Sequence, residues 1–160
     1  MAELDRPGME PGDEQQRRFM AEALAESRKA LPLCLPNPPV GCVIVRGQQI
    51  LARGFTGAPG EPHAEAAALL HLGPDADPDD LTMFVTLEPC AFVGRTPSCA
   101  RALVMSGIPR VVVGSLDPDP RNNGAGIDIM RASGIEVTVG VLASDVLAFL
   151  APYLLSAPRT

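Results

Sequence analysis

Four side chains in two short stretches have the types that metal-assisted hydrolysis requires. His63 and Glu65 sit in Pro62-His63-Ala64-Glu65, Cys90 ends Glu88-Pro89-Cys90, and Cys99 follows at the end of the next loop. One imidazole and two thiolates suit zinc, which takes N and S ligands in a tetrahedron. Three protein ligands leave a fourth position open for water, whereas a structural zinc normally takes four and needs no carboxylate beside it. Glu65 is the group that such a site adds for chemistry, a carboxylate able to take a proton and pass it on. His63, Cys90 and Cys99 are therefore the expected metal ligands, one zinc per chain is the expected cofactor, and Glu65 is the expected catalytic residue.

A His-x-Glu followed by Pro-Cys and a second cysteine, with the Glu as acid and base and not as ligand, is the pattern of zinc deaminases. This chain has His63-Ala64-Glu65 and Pro89-Cys90, but its second thiol comes nine positions later instead of three. The reaction these types support is hydrolytic replacement of an amino group on a ring carbon. Glu65 would carry protons from water to the ring nitrogen and to the departing amine, so that ammonia leaves. Cys34 and Cys42 lack ligand spacing and read as small core hydrophobes.

These residues need elements that bring them together. Residues 1–13 show no apolar period and read as a flexible leader, followed by one domain over 14–155. The spacing of Phe19, Met20, Ala23 and Leu24 predicts an amphipathic helix from Glu14 to Leu31, ended by Pro32. Residues 33–39 form a stiff proline-rich loop that carries Asn37, and Val40–Val45 and Gln49–Gly54 read as a hairpin. Pro62 suits the first turn of a helix over 63–72, and Thr82–Leu87 is a strand running into Glu88-Pro89-Cys90. Thr96 fits an N-cap with Pro97 as the first helical residue, which places Cys99 inside a first turn that runs on to Gly107. Arg110–Gly114 and Ile135–Val141 read as strands, with a turn-rich loop at 117–126, where Asp117 and Asp119 form turns, and a helix closed by Gly134 between them. Ser144 would cap a last helix that Pro152 breaks. Alternating helices and strands predict an α/β fold, a three-layer α/β/α sandwich around a five-stranded mixed sheet. In such a sheet strand ends and helix starts converge on one edge, where ligands bind.

Composition narrows the partners. With 46% hydrophobic residues in a chain of 160, one core can form without disulfides. Lys and Arg number 13 against 19 Asp and Glu, a net charge of −6, which argues against a groove following a phosphate backbone. Tryptophan is absent and aromatics make up 4%, so stacking platforms for single strands are poorly supplied. A small-molecule substrate is expected, and no nucleic acid. No apolar run reaches the roughly 18 residues of a membrane span, and no signal pattern opens the chain. Four cysteines without a disulfide framework then point to the cytoplasm.

Several segments together carry a more specific resemblance: Asn37-Pro38-Pro39-Val40-Gly41-Cys42-Val43-Ile44-Val45, Gly60-Glu61-Pro62-His63-Ala64-Glu65, Val85-Thr86-Leu87-Glu88-Pro89-Cys90 and Gly94-Arg95-Thr96-Pro97-Ser98-Cys99. Asp117-Pro118-Asp119-Pro120, with Gly124-Ala125-Gly126 behind it, adds a fifth. In this order they resemble the deaminase domain of bacterial riboflavin biosynthesis, diaminohydroxyphosphoribosylaminopyrimidine deaminase, of the cytidine deaminase-like superfamily. The resemblance implies a five-stranded sheet flanked by helices. It implies removal of the 2-amino group of 2,5-diamino-6-ribosylamino-4(3H)-pyrimidinone 5′-phosphate. It makes His63, Cys90 and Cys99 the zinc ligands and Glu65 the proton shuttle, and it assigns Asn37, Arg95 and Thr96 to the substrate, with Arg95 at the phosphate. Relatives commonly form dimers or larger homo-oligomers. Bifunctional members continue into a reductase domain, and none is expected in a chain ending at Thr160. Two places depart from the family's pattern: Ala91-Phe92 replaces Ser-His, and Thr56 stands where a His is frequent. These departures leave open a second reading, a stand-alone deaminase of another base, nucleoside or secondary-metabolite intermediate.

Overall fold

Alternating apolar residues decide how the sheet buries its two faces. A computed structural model describes residues 13–94 and 97–154, so most of the expected leader, and both Arg95 and Thr96, lie outside the described residues. Strands β1 (Gly41–Arg46), β2 (Gln49–Phe55), β3 (Leu81–Leu87), β4 (Arg110–Ser115) and β5 (Glu136–Val139) form one sheet in the order β2-β1-β3-β4-β5. β1 runs antiparallel to both β2 and β3, while β3, β4 and β5 are parallel. Successive strand residues face opposite sides. Cys42, Ile44, Met83, Val85, Val111 and Val113 therefore pack with one helical layer, and Val43, Val45, Phe84 and Val112 with the other.

The first layer holds α2 (Ala64–Leu72), α3 (Cys99–Ser106) and α4 (Ala125–Ala132), which contribute Ala64, Ala68, Ala100, Leu103, Ile127 and Met130. The second holds α1 (Glu14–Arg28) and α5 (Ala143–Leu154), with Phe19, Met20 and Ala23 beside Val146, Leu150 and Leu154. This is the expected sandwich with a five-stranded mixed sheet. Cys34 and Cys42 are fully buried, as the core reading of both requires.

Several boundaries differ from the sequence reading. α1 stops at Arg28, because the N–H of Lys29 turns back to the Glu26 and Ser27 carbonyls and residues 29–36 continue as turns. Ser144 lies within the first turn of α5 and does not cap it, and Pro152 sits inside that helix without ending it. Burial of Leu150 and Leu154 against the sheet outweighs the one backbone bond a proline removes.

The close approach of α2 to the sheet depends on Gly54. A Cβ there would stand 2.3 Å from the Ala64 carbonyl oxygen and 2.6 Å from the Ala68 nitrogen. Gly54→Ala must therefore push the start of α2 off the sheet. We expect it to destabilise the fold by about 3 kcal/mol, as overpacking does, and to lower zinc content on the same sample, read by denaturant melts and metal analysis.

Candidate metal centre and active site

The parallel strands β3 and β4 end on the same edge of the sheet, where β1 begins, β2 ends and α2 starts. From that edge Asn37, Pro38, Val40, Thr56, His63, Glu65, Leu87, Glu88, Cys90, Phe92 and Asp117 line one cleft of about 510 Å³, open mouth included. His63 is the N-cap of α2, with extended backbone (φ −71°, ψ 170°) and no side-chain cap bond. Pro62 thus precedes the helix and is not in its first turn. Glu65 lies in that first turn and is buried.

The second thiol arrives by a different route from the one expected. Ser98, not Thr96, caps α3: its hydroxyl accepts from the Arg101 amide and donates to the Cys90 carbonyl at 2.8 Å. Pro97 stands before the helix, and Cys99 is its first residue. The amide of Ala100 also donates to the Cys90 carbonyl (3.0 Å), and that of Cys99 to the Cys90 thiol (3.2 Å). Three bonds therefore clasp the start of α3 to Cys90, which closes the nine-residue interval into a local loop.

The result is a set of three donors. His63 Nδ1 lies 3.9 Å from Cys90 Sγ and 3.4 Å from Cys99 Sγ, and the three donor atoms lie within 4.8 Å of one another. With Zn–N and Zn–S bonds of about 2.05 and 2.3 Å, a tetrahedral site has N···S edges of about 3.6 Å. The donor set and its spacing fit zinc. Among the described residues no other cluster of three such groups occurs.

Of the remaining sequence candidates, Asn37 is buried and lines the cleft. Arg95 and Thr96 fall outside the described residues. Thr56 lines the cleft, but its hydroxyl accepts from the Val40 amide at 3.0 Å and so ties β2 to the strand beside it. Asp117 and Asp119 form turns as expected, each accepting from the amide two residues on. Asp117 is also buried and lines the cleft, which turn chemistry alone did not indicate.

Sequence reasoning missed the role of Glu88. It is 3% exposed, and its carboxylate accepts from the amides of Asp117 (3.1 Å), Gly124 (2.9 Å), Gly126 (2.9 Å) and Ile127 (3.3 Å). An acidic side chain at a helix start satisfies amides that have no partner within the helix. Gly126 permits the contact, since a Cβ there would stand 2.0 Å from the Pro89 carbonyl oxygen. The available signal was a carboxylate two residues ahead of a candidate ligand cysteine, together with a Gly-x-Gly in a later loop.

With this geometry in place, comparison with known proteins is decisive. The model of the cytidine and deoxycytidylate deaminase zinc-binding region matches residues 13–115. The chain belongs to this family. Within the family it is 44% identical over 129 residues to the riboflavin biosynthesis protein RibD of Aquifex aeolicus, covering 81% of this chain and 36% of that protein. RibD of Acinetobacter baumannii superposes with a TM-score of 0.82 at 40% identity, over 88% of this chain and 39% of that one. A diaminohydroxyphosphoribosylaminopyrimidine deaminase/5-amino-6-(5-phosphoribosylamino)uracil reductase from Thermotoga maritima gives 0.79 at 39% identity, over 87% and 40%. The chain spans little more than a third of the length of these relatives.

The deaminase-family site also perturbs its own titrations. Cys90 is held down to about 5, first by its hydrogen bond with Cys99 and then, against burial, by that with His63. Cys99 moves up through the same bond and its burial, so Cys90 gives up its proton first. His63 is raised, mainly by its bond with Cys90. Glu65 is pushed up to about 7 from 4.5, by burial first and by the nearby Cys90 charge second.

Two outcomes follow from these contacts. In protein stripped of metal, Glu65 stays protonated in the fold while the unfolded chain ionises. Its contribution to stability is thus full below pH 4.5 and is lost as pH rises toward 7. Glu65→Gln should flatten that slope in pH-dependent denaturation curves. Glu88→Gln sets an amide NH₂ against several N–H donors; it should cost about 3 kcal/mol and raise KM more than it lowers kcat, since it loosens the wall carrying Asp117.

Proposed function

We propose that the chain is a zinc-dependent hydrolase that deaminates an amino-substituted pyrimidine nucleotide, 2,5-diamino-6-ribosylamino-4(3H)-pyrimidinone 5′-phosphate. The observation that carries the reading is a buried Glu65 in the same cleft as His63 and Cys90, whose donor atoms cluster with the thiol of the buried Cys99. The RibD relatives, and the deaminase activity in the name of the Thermotoga protein, support the substrate.

His63, Cys90 and Cys99 would hold the zinc. Zinc there supplies a Lewis acid that lets water give up a proton near neutral pH. Glu65 takes that proton on a carboxylate oxygen, delivers it to the ring nitrogen, and moves a second one to the leaving amine. One water is consumed, a carbonyl replaces the C–NH₂ group, and ammonia departs. The buried place of Glu65 in the cleft beside the donors suits a group that must both accept and return protons. Asn37 and Asp117 offer polar atoms to the ring from the cleft wall. Arg95 would pair with the phosphate, with Thr96 beside it. One phosphate needs one cation, not a basic surface, which agrees with the net charge of −6.

This reading takes residues 14–155 as the deaminase unit and includes a cytoplasmic homo-oligomer. Among the described residues no helix is long and apolar enough to cross a membrane. A specific observation favours keeping another substrate in view: Phe92 and a backbone-bonded Thr56 present little hydrogen-bonding capacity on their part of the cleft. The purified protein should carry about one zinc per chain, and Glu65→Ala should keep the metal while losing ammonia release by about a thousandfold or more. Ammonia release and metal content, measured together on the riboflavin precursor, cytosine, cytidine and guanine, decide it. A folded wild-type protein that takes up no zinc would sink the proposal.

A further inference from the structure

Phe92 is the one benzene ring among the described residues lining the cleft. The guanidinium carbon of Arg121 stands 3.9 Å from its centroid. That guanidinium is gripped at two points by Asp119, Nε to Oδ1 at 3.1 Å and Nη2 to Oδ2 at 2.7 Å. The Asp119 carboxylate also accepts from the Arg121 amide at 2.9 Å. Behind it, the Asp119 amide donates to Asp117 (3.0 Å), and the Asp117 amide donates to Glu88 (3.1 Å). A continuous set of contacts thus runs from the buried carboxylate beside Cys90 out to the Phe92 ring. Phe92 lines the cleft, and the Arg121 guanidinium lies over one face of that ring.

We propose that Phe92 is a specificity-determining wall that stacks an electron-rich, amino-substituted planar ring, and that Arg121 is a positioning residue acting only through Phe92. A planar fork stacked on an aromatic face fixes that ring with little freedom of its own. A cation on one face draws electron density toward it and leaves the other face better matched to an electron-rich heterocycle. A wall without a donor or acceptor also admits compounds that require no hydrogen bond from this side. The proposal rests on the deaminase reading only in taking this cleft as the substrate site.

The chain contains no tryptophan, so Phe92→Trp places a single indole on the wall, excited at wavelengths where Tyr153 does not absorb. Titrating the zinc-loaded variant with the diaminopyrimidine nucleotide, dCMP and cytidine should quench its fluorescence, and ribose 5-phosphate, which has no planar ring, should not. In kinetics, Phe92→Ala should raise KM about fivefold or more, as loss of a stacking partner does, with kcat within about twofold. Phe92→Leu, which keeps the bulk, serves as the folding control. Arg121→Ala should raise KM about two- to fivefold when Phe92 is present and leave it unchanged in the Phe92→Ala background. An equal effect of Arg121→Ala in both backgrounds would mean that Arg121 meets the substrate itself and would overturn the proposal. So would quenching by ribose 5-phosphate alone. Selective quenching without turnover of any compound would retain the wall and reject the deaminase reading; turnover without selective quenching would do the reverse.

Discussion

Segments from five parts of the chain have to meet at one end of the sheet, and the buried Glu88 carboxylate is what lets the last of them join. Without that carboxylate, the amides of Gly124 and Ile127 at the start of α4 would lose this acceptor, and that of Gly126 would be left with the Asn122 side-chain oxygen alone. Leaving such donors unsatisfied costs more than any single contact in the site returns. With the charge there, the 117–127 loop lies against Pro89 and Cys90, and Asp117 becomes part of the cleft. The candidate metal donors and the cleft wall thus share one anchor, since Glu88 is two residues from Cys90 and bonds directly to the loop that carries Asp117.

The sheet and its helices were legible because their signals are periodic. Val111-Val112-Val113 and Met83-Phe84-Val85 divide between the two faces as strand residues must. The cluster of His63, Cys90 and Cys99, with Glu65 in the cleft beside it, was legible because few other roles call for those residue types together. The starts of α2 and α3 were misplaced by one and two residues, while α1 begins at Glu14 as read. A proline ahead of a helix fits both its first turn and the position before its cap, and only the extended backbone of His63 and the hydroxyl of Ser98 distinguish the two. Pro152 misled for the opposite reason, because local breaking power lost to burial of Leu150 and Leu154.

What the sequence could not show is pairing across distance. Nothing in Glu88 itself announces that its partners lie some thirty to forty residues later. Nothing in Phe92 or Arg121 announces a stack, because neither residue type is unusual in a loop. Such contacts depend on which loops the sheet order brings together: β3 and β4 are neighbours and parallel, so the segments leaving them are adjacent. The strand order therefore holds information about specificity that residue patterns lack.

The clasp between Cys90 and the start of α3 has a further implication for how this site changes over evolutionary time. Because Ser98, Cys99 and Ala100 all bond back to Cys90, the two candidate thiol donors are held together by contacts at the two ends of the intervening loop. The middle of that loop is then released from holding the ligands. It can be lengthened, shortened or rewritten while the metal geometry is inherited intact, so a lineage can try new substrates without risking its chemistry.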